Sequence, residues 1–219
     1  MKKPFIISFI LLSFTTIIAQ QPSNLDKSYF TIEGNKLIDS KIVVDGTPYL
    51  HPFMNAKVEG VQGTTKMRYN AYNDEVEYQT ESGNLALLKL AKFSDIYFLE
   101  QGLHLKLVTY EYNKTPITGY LFELVNKPEI KIYKREHITF NAEKAARTSY
   151  NTATPASFSH DKPVYFIQKG AGAIVELPSN KRKLTELFPA KKDAINQLFK
   201  SNNIDFSNTS DLEKLADIL

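Results

Sequence analysis

From about residue 28 to residue 177 the chain alternates apolar and polar side chains; from residue 179 onward its apolar residues recur every third or fourth position. The first pattern predicts half-buried strands and the second amphipathic helices. Strand-like runs at 29–32, 37–38 and 41–44 are separated by turn residues, and the last ends at Asp45-Gly46, a favoured tight-turn pair. Met67, Tyr69 and Ala71 share one face, whereas Val76 and Tyr78 fall on the opposite parity. That slip predicts a hairpin turn or a bulge at Asn73-Asp74. A turn at 81–84 leads into 85–88. The strongest strand is 103–112, with Leu103, Leu105 and Leu107 on one face and Val108, Tyr110 and Tyr112 on the other, so it is expected at the centre of the sheet. After a turn at 113–116 the chain returns over 119–125, then turns at 126–128 into 129–134. Ile130 and Ile132 point inward there, and Ile138 and Phe140 are expected to continue that side. A last pair, 163–168 and 173–177, is joined by Lys169-Gly170-Ala171-Gly172. Closely spaced turns with no helix between strands predict a mainly β fold: an antiparallel barrel-like or half-barrel sheet.

Two stretches depart from that rhythm. Residues 141–162 are polar, rich in Ala, Ser and Thr, and weakly patterned, which predicts a long surface loop, with a short helix at 142–147 as an alternative. Residues 179–219 predict a small C-terminal helical subdomain following a β domain of 20–178. A short helix at 183–188 ends at Pro189, which suits the first turn of the next helix. Ala194, Ile195, Leu198 and Phe199 form the apolar face of that second helix, and Asn202-Asn203 ends it. Ile204 and Phe206 anchor the following link, with Phe206 expected to be buried. Thr209 or Ser210 is the expected cap of the last helix, whose buried side is Leu212, Leu215, Ala216 and Leu219.

The N-terminus changes the picture. Met1-Lys2-Lys3-Pro4 precedes an uncharged run from 5 to 19. At about 1.5 Å per residue that run falls short of the roughly 30 Å hydrocarbon core of a bilayer. It reads as a cleavable signal peptide, residues 1–19, cut near Ala19 so that the exported chain begins near Gln20. The protein is therefore expected in the periplasm or at the cell surface. There is no cysteine, which excludes disulfide scaffolding, thiol catalysis and a lipid carried on cysteine. Loss of Lys2 and Lys3 from the 27 basic residues leaves 25 against 24 acidic ones. So balanced a chain gives no overall electrostatic reason to expect nucleic acid or an anionic membrane as a partner. No second apolar run is long enough to span a bilayer, so no transmembrane anchor is expected after cleavage.

Candidate chemistry is sparse. His51, His104, His137 and His160 show no helical zinc spacing. His104 and His137 lie on predicted strands and could approach each other, but a structural or surface role is expected for all four. There is no Gly-x-Ser-x-Gly elbow, and the glycine-rich run 169–173 joins two strands instead of opening a helix, so it reads as a hairpin tip. Asp74, Glu75 and Glu77 form an acidic cluster whose calcium-binding or acid/base reading is weaker than a solvated face for Glu75 and Glu77. Lys181-Arg182-Lys183 and Lys191-Lys192 make the tail basic; a solvated face is expected, with contact to anionic lipid headgroups or polysaccharide as the alternative. Tyr49, Tyr69, Tyr72, Tyr78, Tyr97, Tyr110, Tyr112 and Tyr120 fall in or beside strands and suit packing across a sheet, or the lining of an apolar or sugar-binding groove.

Three segments together carry a resemblance: 46–50 (GTPYL), 67–77 (MRYNAYNDEVE) and 177–184 (LPSNKRKL). In combination they resemble a group of uncharacterised exported envelope proteins typical of the Bacteroidota. The resemblance implies a bacterial cell-envelope location; the group carries no known activity and no catalytic residues to transfer. The expected function is a non-enzymatic envelope protein, a binding or interaction module for another envelope protein or a small apolar ligand, with no cofactor and no metal. The alternatives are a carrier of lipid or another apolar ligand in a β half-barrel, and a hydrolase built from dispersed residues such as His104, His137, Asp74 and Glu75.

Overall fold

The computed structural model describes residues 44–145, 153–201 and 204–219. The expected signal peptide, the strand-like runs at 29–32, 37–38 and 41–43, and Asn202-Asn203 lie outside the described residues.

The described chain is mainly β. In order, the strands are β1 (Met54–Val58), β2 (Thr65–Asn70), β3 (Glu75–Thr80), β4 (Gly83–Ala86), β5 (Asp95–Phe98), β6 (Leu103–Tyr112), β7 (Thr115–Asn126), β8 (Ile130–Arg135), β9 (Ile138–Asn141), β10 (Ser157–His160), β11 (Val164–Lys169) and β12 (Ile174–Glu176). Three α-helices follow: α1 (Lys181–Leu187), α2 (Lys192–Ser201) and α3 (Thr209–Ile218); single 3-10 turns lie at Ala91–Phe93, between β4 and β5, where no helix is expected, and at Pro189–Lys191.

Ten strands form one sheet in the order β12-β11-β8-β7-β6-β5-β1-β2-β3-β4, and β12 also meets β6. The strands β6, β7, β8, β11 and β12 thus close into a five-stranded barrel. Each runs antiparallel to the one before it. With an odd number of strands, the first and last must run the same way, so the closing pair has to be parallel. It is: Ile174 lies opposite Tyr110 in a parallel bridge. The barrel-like sheet is as expected, but its seam departs from a purely antiparallel arrangement for this reason of parity.

The interior of the barrel is filled by Tyr110, Leu121, Tyr133, Phe166 and Ile174, all buried and contributed by its five strands. A second core lies on the opposite face of β6 and β7. There Leu105, Tyr120 and Phe122 pack against Met67, Tyr69 and Val76 of β2 and β3, and against Ile96 and Phe98 of β5. The apolar residues on both faces of β6 are why it holds a central position.

The parity slip after Ala71 is a hairpin turn, with Asp74 in the left-handed region at φ +56° between the paired strands β2 and β3. The β6–β7 connection is tighter than expected: Asn113 and Lys114, at φ +51° and +63°, make the turn, and Pro116 is already in β7.

Two expectations are corrected between 138 and 162. Ile138 and Phe140 do not extend the line of Ile130 and Ile132. Ile138 packs in the β2–β5 core, and Ile130 and Ile132 lie beneath the helices. The polar stretch 141–162 is not simply a loop. Ser157–His160 pairs with Ile138–Asn141 as a two-stranded ribbon, and a Lys144–Thr154 bridge extends it. Residues 142–145 are not helical; the remainder of the alternative helix lies outside the described residues. The anchor that the sequence pattern hides is Phe158, whose ring lies 5.6 Å from that of Tyr72 and 5.1 Å from that of Phe140. The base of the ribbon is tied by Asp161, which accepts from Thr139 and lies 2.7 Å from His137 Nδ1.

The helical tail docks on the barrel. Leu184, Phe188, Ile195, Leu212, Leu215 and Ala216 are buried against Val125, Ile130, Ile132 and Ile167. Helices of seven to ten residues are marginal alone, so this shared core is what holds them. Asn180 caps α1 by accepting from Lys183 N at 2.8 Å. The cap of α3 is Asn208, accepting from Ser210 N at 2.9 Å, and not Thr209 or Ser210. Phe206 is only half-buried, because it packs at the margin of this core. Lys127 ties the sheet to the end of α3 through the Asp217 carboxylate. Among the described residues no helix is long and apolar enough to cross a membrane.

Candidate functional site

Three groupings of polar side chains stand out on this frame. The first crosses β5, β6 and β7. Register places Asp95 opposite Lys106 and Tyr97 opposite His104, and the pairing of Leu105 with Phe122 puts Glu123 beside His104. His104 Nε2 lies 2.9 Å from Asp95 Oδ1 and Nδ1 lies 3.0 Å from Glu123 Oε1. The Tyr97 ring stacks on the imidazole at 4.1 Å. Lys106 Nζ is 2.9 Å from Asp95 Oδ1 and 3.7 Å from Glu123 Oε2.

Burial pushes the Asp95 carboxyl up, but hydrogen bonds from Ser94 and Lys106, the ammonium charge and the bond to His104 outweigh it and hold it below its ordinary value. Glu123 follows the same balance: burial raises it, while His104 and Lys106 bring it down overall. Burial lowers Lys106, and its two carboxylates more than restore it. Clusters of this kind are candidate catalytic sites. Here, however, both imidazole nitrogens are already engaged and the ring face is covered. The two carboxylates flank opposite edges of one ring, and the Lys106 ammonium contacts both. The arrangement is an ionic clamp across three strands.

The second grouping centres on Asp74. Its Oδ1 accepts from the Tyr69 hydroxyl at 2.8 Å and from Tyr120 N at 3.1 Å, and Oδ2 accepts from Lys89 Nζ at 2.6 Å. Gly119 makes the approach feasible: a Cβ there would lie 2.6 Å from Asp74 Oδ2. Burial and the neighbouring Asp74 charge push the Tyr69 hydroxyl well above its ordinary value, so it stays a donor. This carboxylate joins the β2–β3 hairpin to the barrel wall. Glu75, expected on a solvated side, is half-buried. Glu77, expected there too, is half-buried as well. It accepts from Arg68 Nε and Nη2 at 2.9 and 2.7 Å and from the Tyr49 hydroxyl at 3.1 Å. The Arg68 guanidinium in turn lies over the rings of Tyr49 and Phe53.

The third grouping is a cleft of about 300 Å³ on the outer face of β6–β8. Leu50, Leu103, Phe122 and Leu124 line it with apolar surface, and His51, Gln101, Lys134, Glu136 and His160 supply the polar part. Lys134 and Glu136 neutralise each other at 2.7 Å. Burial lowers His51, which favours its uncharged form at neutral pH. Ribbon β9–β10 brings His160 to this cleft, a placement that depends on the pairing of a segment with weak sequence pattern.

The four dispersed residues of the hydrolase expectation fall in three places, Asp74 and Glu75 being neighbours at the β2–β3 turn. His104 sits in the β5–β7 clamp, Asp74 in the β2–β3 turn, and His137 at the base of the ribbon. No hydrogen bond or ion pair joins any of these three among the described residues. Likewise, no three His, Asp or Glu side chains among the described residues converge on a metal position. Of the eight strand-associated tyrosines, Tyr69, Tyr110 and Tyr120 are buried core residues. The clamp partners Asp95 and Glu123 were missed from the sequence. Their one signal is that His104 and Lys106 interrupt the apolar N-terminal half of β6.

A comparison of the chain with known protein families, with curated proteins and with solved structures finds no match in any of the three.

Proposed function

We propose that this chain is a non-enzymatic, exported binding module of the cell envelope, and that its ligand seat is the cleft between the outer face of β6–β8 and the ribbon. The observation that carries the reading is the composition of the cleft: an apolar floor, compensated charge, and at its sides the uncharged His51 imidazole and the Gln101 amide. Such a surface suits a small, uncharged group with an apolar body and a hydrogen-bonding end. The leader-like run before residue 20 supports export. His104, Asp95 and Glu123 are tied to one another in the clamp, away from the cleft.

The test is a fragment screen on the full exported chain by NMR, using neutral aromatic and aliphatic alcohols as probes. Binding should shift the His51 and His160 ring resonances and should weaken in a Leu124→Gln variant. Turnover of a panel of esters, glycosides, peptides or phosphates would overturn the reading.

Carriage of an apolar ligand is the second reading. The same apolar floor favours it, but the barrel interior is filled by Tyr110, Leu121, Tyr133 and Phe166, so the cargo would lie in the cleft. Native mass spectrometry of protein taken from the envelope separates the two readings by the presence or absence of bound lipid.

A further inference from the structure

The corner between α1 and α2 carries five cations, Lys181, Arg182, Lys183, Lys191 and Lys192, against two anions, Glu186 and Asp193. All five cations are exposed. Lys181, Lys183, Lys191 and Lys192 form no ion pair among the described residues, and Arg182 makes only a loose 3.6 Å contact with Glu186 between two highly exposed side chains. The charge here is therefore not spent on holding the fold. In contrast, Lys127, in the β7–β8 turn, and Lys214, on α3, are paired with Asp217 and Asp211.

The orientation of the corner is set by its buried side. Leu184, Phe188 and Ile195 point into the core shared with the barrel, which leaves the lysines and Leu187 turned outward. Leu187 is 41 % exposed among them, and Pro189 and Ala190 beside it are exposed as well. An exposed leucine in a field of cations gains nothing from an acidic polysaccharide, which has no apolar phase to receive it. At a lipid surface it can enter the headgroup boundary while the lysines meet anionic headgroups. We infer that the α1–α2 corner is a peripheral contact for an anionic lipid surface.

The experiment is co-sedimentation of the full exported chain with vesicles of phosphatidylcholine alone and of phosphatidylcholine with phosphatidylglycerol. Binding is expected only to the anionic vesicles, and it should weaken as salt is raised because the attraction is screened. Each lysine neutralised near the surface should lower the partition coefficient about fivefold, so Lys183→Gln with Lys191→Gln should lower it about twenty-five-fold. Leu187→Gln should weaken binding without altering its salt dependence. These positions are exposed, so urea melts of the variants should match the parent. Absence of binding to anionic vesicles, binding indifferent to the two lysine changes, or capture by polygalacturonate in preference to vesicles would each overturn the inference.

Discussion

Replacing Asp74 with glycine should be among the most damaging single changes outside the apolar core. The variant keeps the backbone at φ +56° free of strain, since glycine tolerates that region, and so isolates the carboxylate. Two donors lose their acceptor: the Tyr69 hydroxyl and the Tyr120 backbone N–H, on residues 2 % and 1 % exposed. A buried donor left unpaired costs about 1–3 kcal/mol, so the pair sets a loss of about 2–6 kcal/mol. The partly exposed Lys89 contact adds little. Asp74→Asn retains an acceptor and tolerance of a positive φ, and should cost about 1–2 kcal/mol. Urea melts with an unchanged denaturant slope would measure both. Gly119→Ala supplies the internal control. Its new Cβ meets the Asp74 carboxylate at 2.6 Å, so it should be less harmful in the Asp74→Gly background than alone, a coupling that distant residues would not show. The reasoning fails if Asp74→Gly melts within about 0.5 kcal/mol of the parent, or if the two changes are additive.

Further outcomes follow from burial and charge. Ile195→Ala, at a fully buried position, should cost about 2–5 kcal/mol. Phe206→Ala, half-buried, should cost less than the about 3–5 kcal/mol of a fully buried phenylalanine, and Lys191→Ala less than about 0.5 kcal/mol; urea melts that reversed this order would show the tail is docked differently. Asp95 and Glu123 are held below their ordinary values. The stability they contribute is present above the unfolded carboxyl value of about 4 and is lost as pH falls through the lower folded values. An Asp95→Asn variant should therefore show a shallower fall in stability between neutral pH and acid than the parent, and equal slopes would disprove the clamp. Phe158→Ala removes the ring packed on Tyr72 and Phe140, and limited proteolysis should then cut within Ser157–His160, where the parent resists.

What the sequence made legible was decided by locality. The bounds of β6 match the predicted 103–112 because both of its faces are apolar and its ends are turns. The tail is readable for a similar reason: Ile195 and Leu198 in α2, and Leu212 and Leu215 in α3, recur at helical spacing, and Ile195, Leu212 and Leu215 are buried. The ribbon was not readable: Ser157-Phe158-Ser159-His160 has one apolar residue, and its pairing with Ile138–Asn141 is a long-range event. The clamp was hidden more deeply. His104 is nine residues from Asp95 and nineteen from Glu123, separations with no periodic meaning, and only the register of three strands brings them together. Phe206 is half-buried where burial is expected, because an apolar residue in a link carries no information about which side of the chain the core lies on.

The single parallel bridge that closes the barrel bears on how the chain folds. Tyr110 and Ile174 are 64 positions apart, whereas the β6–β7 hairpin closes through the two residues Asn113 and Lys114, in a conformation suited to the twist of the strands. Closing a long loop costs entropy before any contact repays it, so the hairpin should form early and the seam last. Substitutions in the β6–β7 turn should then slow refolding. Substitutions at Ile174 should leave the refolding rate nearly unchanged and speed unfolding, which makes the seam the place where the lifetime of the native barrel is set.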